Sequence, residues 1–82
     1  MMWKTLTPEN FQDVGGFLAL RRVMMGMKQQ DVAAAAGVTP ACVSAIEAGT
    51  NAGRFSSVVA IAAALGLEIE IREKTPFRKG GQ

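Results

Sequence analysis

Few side chains in this sequence can make or break covalent bonds. It has no histidine and a single cysteine, Cys42, so the usual zinc-ligand sets and base–nucleophile pairs are missing. There is also no Gly-x-x-x-x-Gly-Lys loop to cradle a nucleotide. The composition therefore speaks against an enzyme and implies neither cofactor nor metal. What remains is recognition chemistry, meaning hydrogen-bonding and cationic side chains held at helix ends. Gln29 opens a short helical stretch, where free backbone N–H groups and the helix dipole favour a phosphate. The alternative for Gln29 is an ordinary solvated side chain. Lys28 precedes it and adds a cation.

The elements that would position these groups lie in residues 29–48, QQDVAAAAGVTPACVSAIEA. Val32, Ala33 and Ala36 place small apolar residues on one helical face, and Gly37 stops that helix where a left-handed residue is needed. Thr39 and Pro40 restart the chain as hydroxyl N-cap and first-position proline. Val43 and Ile46 carry the stripe on, and Gly49 ends the second helix. Isolated helices below ~12–15 residues are marginal in water, so the rest of the chain must hold these two at a fixed angle. A fixed helix pair with one exposed face is the arrangement that reads DNA grooves.

Eighty-two residues, 49% of them apolar and 6% aromatic, make one small domain of closely packed helices. No apolar run approaches the ~20 residues of a membrane span. The opening MMWKTLTPE lacks a secretory h-region. A lone cysteine gives no internal disulfide, so a reducing cytoplasm is the expected compartment. The net charge of +2 permits nucleic-acid binding without arguing for it.

In order, residues 1–7 read as an N-terminal arm, residues 8–74 as the domain, and residues 75–82 as a flexible basic tail. Thr7-Pro8-Glu9 predicts a helix from residue 8 to about residue 25, with Gly15-Gly16 inside it and Gly26 closing it. The glycine pair marks either close helix packing or a hinge. Residues 49–53 form a polar loop, and Ser56 or Ser57 is expected to cap a helix bearing Val58, Val59, Ile61, Ala62 and Leu65. After Gly66 the period changes to two. Leu67, Ile69 and Ile71 alternate with Glu68, Glu70 and Arg72, which predicts a strand over 67–73. The chain has no second strand to pair with it, so pairing with a second copy is expected, giving a homodimer. A tail packed on its own monomer is the alternative.

Residues 29–48, with Arg22 before them, Glu47-Ala48-Gly49 at their end and IAAALGLEIEI further on, resemble the phage-repressor (xenobiotic-response-element) family of helix-turn-helix DNA-binding domains. Ala33 falls at the family's small position and Gly37 at its turn. Val32, Ala36, Val38, Val43 and Ile46 fall at its apolar positions. The resemblance implies a mainly α, lambda-repressor-like domain of four to five helices, plus one C-terminal β-strand pairing across a dimer. The long first helix and terminal strand make the layout similar to HipB-type antitoxin repressors. That subgroup implies double-stranded DNA and, by analogy, a HipA-like kinase toxin as partners.

The resemblance also implies residue roles. Gln29 would bond the DNA backbone, with Lys28, which departs from the family's Thr or Ser cap, as a further phosphate contact. Losing that cap is expected to weaken the helix start by ~1 kcal/mol. Arg22 and Glu47 would form an ion pair between helices. Thr39, Pro40, Ala41, Ser44 and Ala45 fall at base-reading positions, yet all are short or apolar. Sparse direct readout follows, with Ala41 and Ala45 touching thymine methyls at most. Cys42 is expected to pack rather than sense redox state. Asn51 and Arg54 fall where relatives contact phosphates, a solvated loop being the alternative. A helix-turn-helix scaffold used mainly for protein contacts is the competing function.

Overall fold

A computed structural model describes residues 5–50 and 54–73. Among these there are four helices: α1 (Phe11–Met24), α2 (Gln29–Ala36), α3 (Pro40–Ala48) and α4 (Phe55–Ala64). Every helix contributes to one core, made of Leu18 from α1, Val32 and Ala33 from α2, Val43 and Ile46 from α3, and Val58, Ile61 and Ala62 from α4, with Leu65 just beyond. The helical spacing of these residues is what folds them: Val58, Ile61, Ala62 and Leu65 recur at three and four residues and so share one side of α4. No single helix among the described residues is long and apolar enough to cross a membrane.

α1 begins later than Thr7-Pro8-Glu9 suggests. Asn10 is the N-cap, its Oδ1 accepting from the Asp13 N–H at 2.9 Å, while Asp13 Oδ2 accepts from the Glu9 N–H at 3.0 Å. Asparagine outranks threonine as a cap, and starting at Phe11 puts the first turn where Phe11 and Val14 reach the core. α4 begins earlier than expected. Arg54 takes the N-cap position without a side-chain bond, and Ser56 and Ser57 lie inside the first turn. Burying Val58 demands a turn ahead of it, and tertiary packing overrides the better local cap.

Gly15 marks a close approach and not a hinge. A Cβ there would collide with the Ile46 carbonyl oxygen and lie 3.0 Å from that of Glu47, so the backbone of α1 rests directly on the last turns of α3. Gly16 faces open space.

Beyond α4, the Leu67 N–H closes on the Ala62 carbonyl at 2.8 Å, and Arg21 Nε reaches the Leu65 carbonyl at 3.0 Å. Residues 67–73 carry no regular secondary structure, and no strand occurs among the described residues. The expected strand is thus not formed within one chain, because a ladder needs a second strand and four helices supply none. Leu67 is half-buried against the core, whereas Ile69 is 41% and Ile71 90% exposed. Asn51, the first part of the N-terminal arm and the basic tail lie outside the described residues.

Candidate nucleic-acid interface

α2 and α3 turn through 111° where they join, within the ~90–120° of DNA-binding helix pairs. Each step of the turn has a local cause. Gly37 takes φ +74°, a left-handed conformation that a side chain would strain, and its N–H closes α2 on the Ala33 carbonyl. Val38 turns inward against the core. Thr39 then accepts from the Cys42 N–H through Oγ1 at 3.1 Å, and Pro40 occupies the first helical position.

The pair is braced by one carboxylate. Glu47, on the last turn of α3, accepts from Arg22 Nε at 2.6 Å and from Arg22 Nη2 at 3.0 Å, a bidentate fork from α1. Gln29, the first residue of α2, donates its Nε2 to Glu47 Oε1 at 3.0 Å. Arg22 Nη1 also donates to the Met27 carbonyl between α1 and α2 at 2.8 Å. The side chains of Arg22 and Glu47 are only 16% and 7% exposed. The hydrogen bonds that Arg22 donates to Glu47 hold the guanidinium above its ordinary pKa. One acid therefore ties three helices together. It also orients the side chain at the start of α2.

At that start Lys28 is exposed and makes no side-chain cap. The expected weakening is offset, because Asp31 Oδ2 accepts from the Lys28 N–H at 2.9 Å, half of a capping box. The same bond puts an exposed carboxylate beside the exposed Lys28.

The outer side of α3 presents Pro40, Ala41, Ser44 and Ala48 to solvent. Thr39, also exposed, uses an oxygen lone pair for its cap and keeps its hydroxyl proton to donate. Ala45 is half-buried at the edge of this face, and its carbonyl accepts the Thr50 N–H at 3.2 Å. Cys42 packs partly buried against the core. Arg54 is exposed at the start of α4.

The structure thus gathers Lys28 and Gln29 at the mouth of α2 and Thr39, Pro40, Ala41 and Ser44 on one side of α3. Arg54 belongs to a different helix end. Sequence reasoning missed Asp31 as a cap, although an acid three residues into a helix signals it. It also missed the Gln29–Glu47 bond, which local spacing does not reveal. Among the described residues no group of three or more His, Cys, Asp or Glu side chains is arranged to hold a metal ion.

No curated protein matches this chain. A family model described as helix-turn-helix matches residues 18–71, from the middle of α1 through all of α2, α3 and α4. That match covers both the 111° turn and its Arg22–Glu47 brace. The chain belongs to the helix-turn-helix family of DNA-binding domains, of the xenobiotic-response-element type.

Proposed function

We propose that this protein is a transcriptional regulator, a repressor that binds a pseudo-palindromic operator as a homodimer. The observation that carries the reading is the exposed outer side of α3, held at 111° to an α2 whose N-cap is the exposed Lys28. In this reading Thr39, Pro40, Ala41, Ser44 and Ala45 enter a major groove. Lys28, the α2 N-terminus at Gln29, Arg54 and Asn51 follow the phosphates. Gln29 gives one amide hydrogen to Glu47, which leaves its second amide hydrogen and its backbone N–H as donors to DNA. Two copies would set their α3 helices ~34–36 Å apart.

Because the outward side chains are short, affinity rests on phosphates, half-site spacing and DNA shape. Fluorescence anisotropy with random-sequence duplex across a salt series tests this directly. Binding whose log affinity falls steeply and linearly with log salt is expected. Lys28→Ala should weaken binding to all sequences alike and reduce the slope by about one contact. Absence of binding at low salt would overturn the reading.

The same short side chains favour a second reading, a helix-turn-helix scaffold for protein contacts. An antitoxin joins the two, since it would repress its operon and hold a kinase-like toxin. That role rests on layout alone. Co-purification with the product of the adjacent reading frame, without DNA binding, would favour the scaffold.

A further inference from the structure

The two helices that meet at 111° bring little charge to their outer surface. α2 and α3 hold two ionisable acids between them, Asp31 and Glu47, and no base. Glu47 is shielded and matched by the Arg22 guanidinium. Asp31 is exposed, and so is Lys28 at the N-cap of α2. The exposed residues around them are uncharged, Gln30, Ala34 and Ala35 on α2, Ala41 and Ser44 on α3. Lys28 and Asp31 cancel, as Arg22 and Glu47 do. The helix pair thus offers a polyanion no net positive charge.

Asp31 is fixed at the mouth of α2. Its Oδ2 accepts the Lys28 N–H at 2.9 Å, and its own N–H returns to the Lys28 carbonyl at 3.0 Å. This carboxylate acts with opposite signs on folding and on binding. For folding, an acid in the first turn answers the helix dipole and serves a helix whose N-cap side chain makes no bond. For a duplex whose phosphates pass Lys28 and the start of α2, the same charge is repulsive. The cap does not require the charge, since an asparagine carbonyl oxygen could accept the same N–H. α1 has a matching acid. Asp13, also the third residue of its helix, accepts the Glu9 N–H through Oδ2 at 3.0 Å.

We propose that Asp31 holds down the sequence-independent affinity of the α2–α3 face for DNA, its carboxylate offsetting Lys28 where the phosphates pass. The proposal rests on the DNA-binding reading of the preceding section and adds to it a residue that works against binding. Phosphate neutralisation supplies nearly all non-specific affinity. One acid at the contact therefore keeps the protein from being held on the many competing sites of a genome.

Fluorescence anisotropy with random-sequence duplex at low salt provides the test, comparing the parent with Asp31→Asn, Asp31→Glu and Asp13→Asn. Asp31→Asn should tighten binding by about fivefold, a gain that shrinks as salt rises. Asp31→Glu keeps the charge and should bind as the parent does. Asp13→Asn makes the same change in net charge at the same position of another helix, and should stay within about twofold of the parent. Melting curves check that each variant is folded. Asp31→Ser, which also keeps an oxygen acceptor, takes the place of Asp31→Asn if that variant does not fold. Unchanged or weaker binding on neutralising Asp31 would overturn the proposal. An equal gain from Asp13→Asn would overturn it too, because the effect would then be one of net charge alone. No binding by any of these proteins would overturn the DNA-binding reading, and the proposal with it.

Discussion

Glu47 accepts hydrogen bonds from two side chains on two other helices, Arg22 and Gln29. Removing its carboxylate strands an Arg22 guanidinium that is 16% exposed and takes a partner from Gln29. Leaving a charge this shielded with only the Met27 carbonyl as partner costs about 3 kcal/mol. Glu47→Ala is therefore expected to lower the melting temperature by more than about 10 °C, a large shift for so small a domain. An unchanged melting temperature would remove the brace from the explanation of the helix angle. Ser44 provides the opposite experiment, since it is exposed. Ser44→Arg should leave stability within about 0.5 kcal/mol. It should also add discrimination of about 1–3 kcal/mol at a guanine, because arginine can reach a base edge with two bonds. Selection from a random duplex library would reveal the new preference; no gain over the parent would mean that α3 does not face bases.

At the scale of elements, the adjacent glycines of α1 separate two effects that the sequence leaves mixed. Gly15→Ala gains helix propensity of about 1 kcal/mol but drives a methyl group into the α3 backbone at Ile46. Backbone cannot move aside as a side-chain tip can. Gly15→Ala should therefore destabilise by about 2 kcal/mol net or more, whereas Gly16→Ala, facing open space, should stabilise by up to about 1 kcal/mol. Equal effects in urea melts would contradict the close approach. Apolar periodicity made the helices, the turn at Gly37 and the inward residues Val32, Val43 and Ile46 legible in advance. Helix starts were less so, because capping is a local competition that packing can overrule. Thr7 lost to Asn10, and the serines of α4 lost to the need to bury Val58. The Arg22–Glu47 pair was expected only from a family resemblance. Gln29 joining it was not expected at all, since residues 18 apart in sequence meet only once α2 and α3 have packed.

For the whole molecule, two exposed surfaces divide the work proposed here. In that proposal the outer side of α3 would face DNA, and the alternating segment after Gly66 would face a second copy. Ile69→Lys should convert the dimer to a monomer by light scattering, because a charge would enter the apolar row of the ladder. DNA affinity should fall with it, since half-sites would then be bound singly. A variant that stays dimeric would move the interface elsewhere. The most direct test of the DNA-facing surface is an amide proton–nitrogen correlation spectrum of the labelled protein titrated with a short duplex at low salt. The expected shifts gather at Lys28, Gln29, Thr39, Ala41, Ser44, Ala45 and Arg54, leaving residues 67–73 unmoved. Shifts confined to residues 67–73, or none at all, would contradict the assignment of α3 as the element that meets DNA.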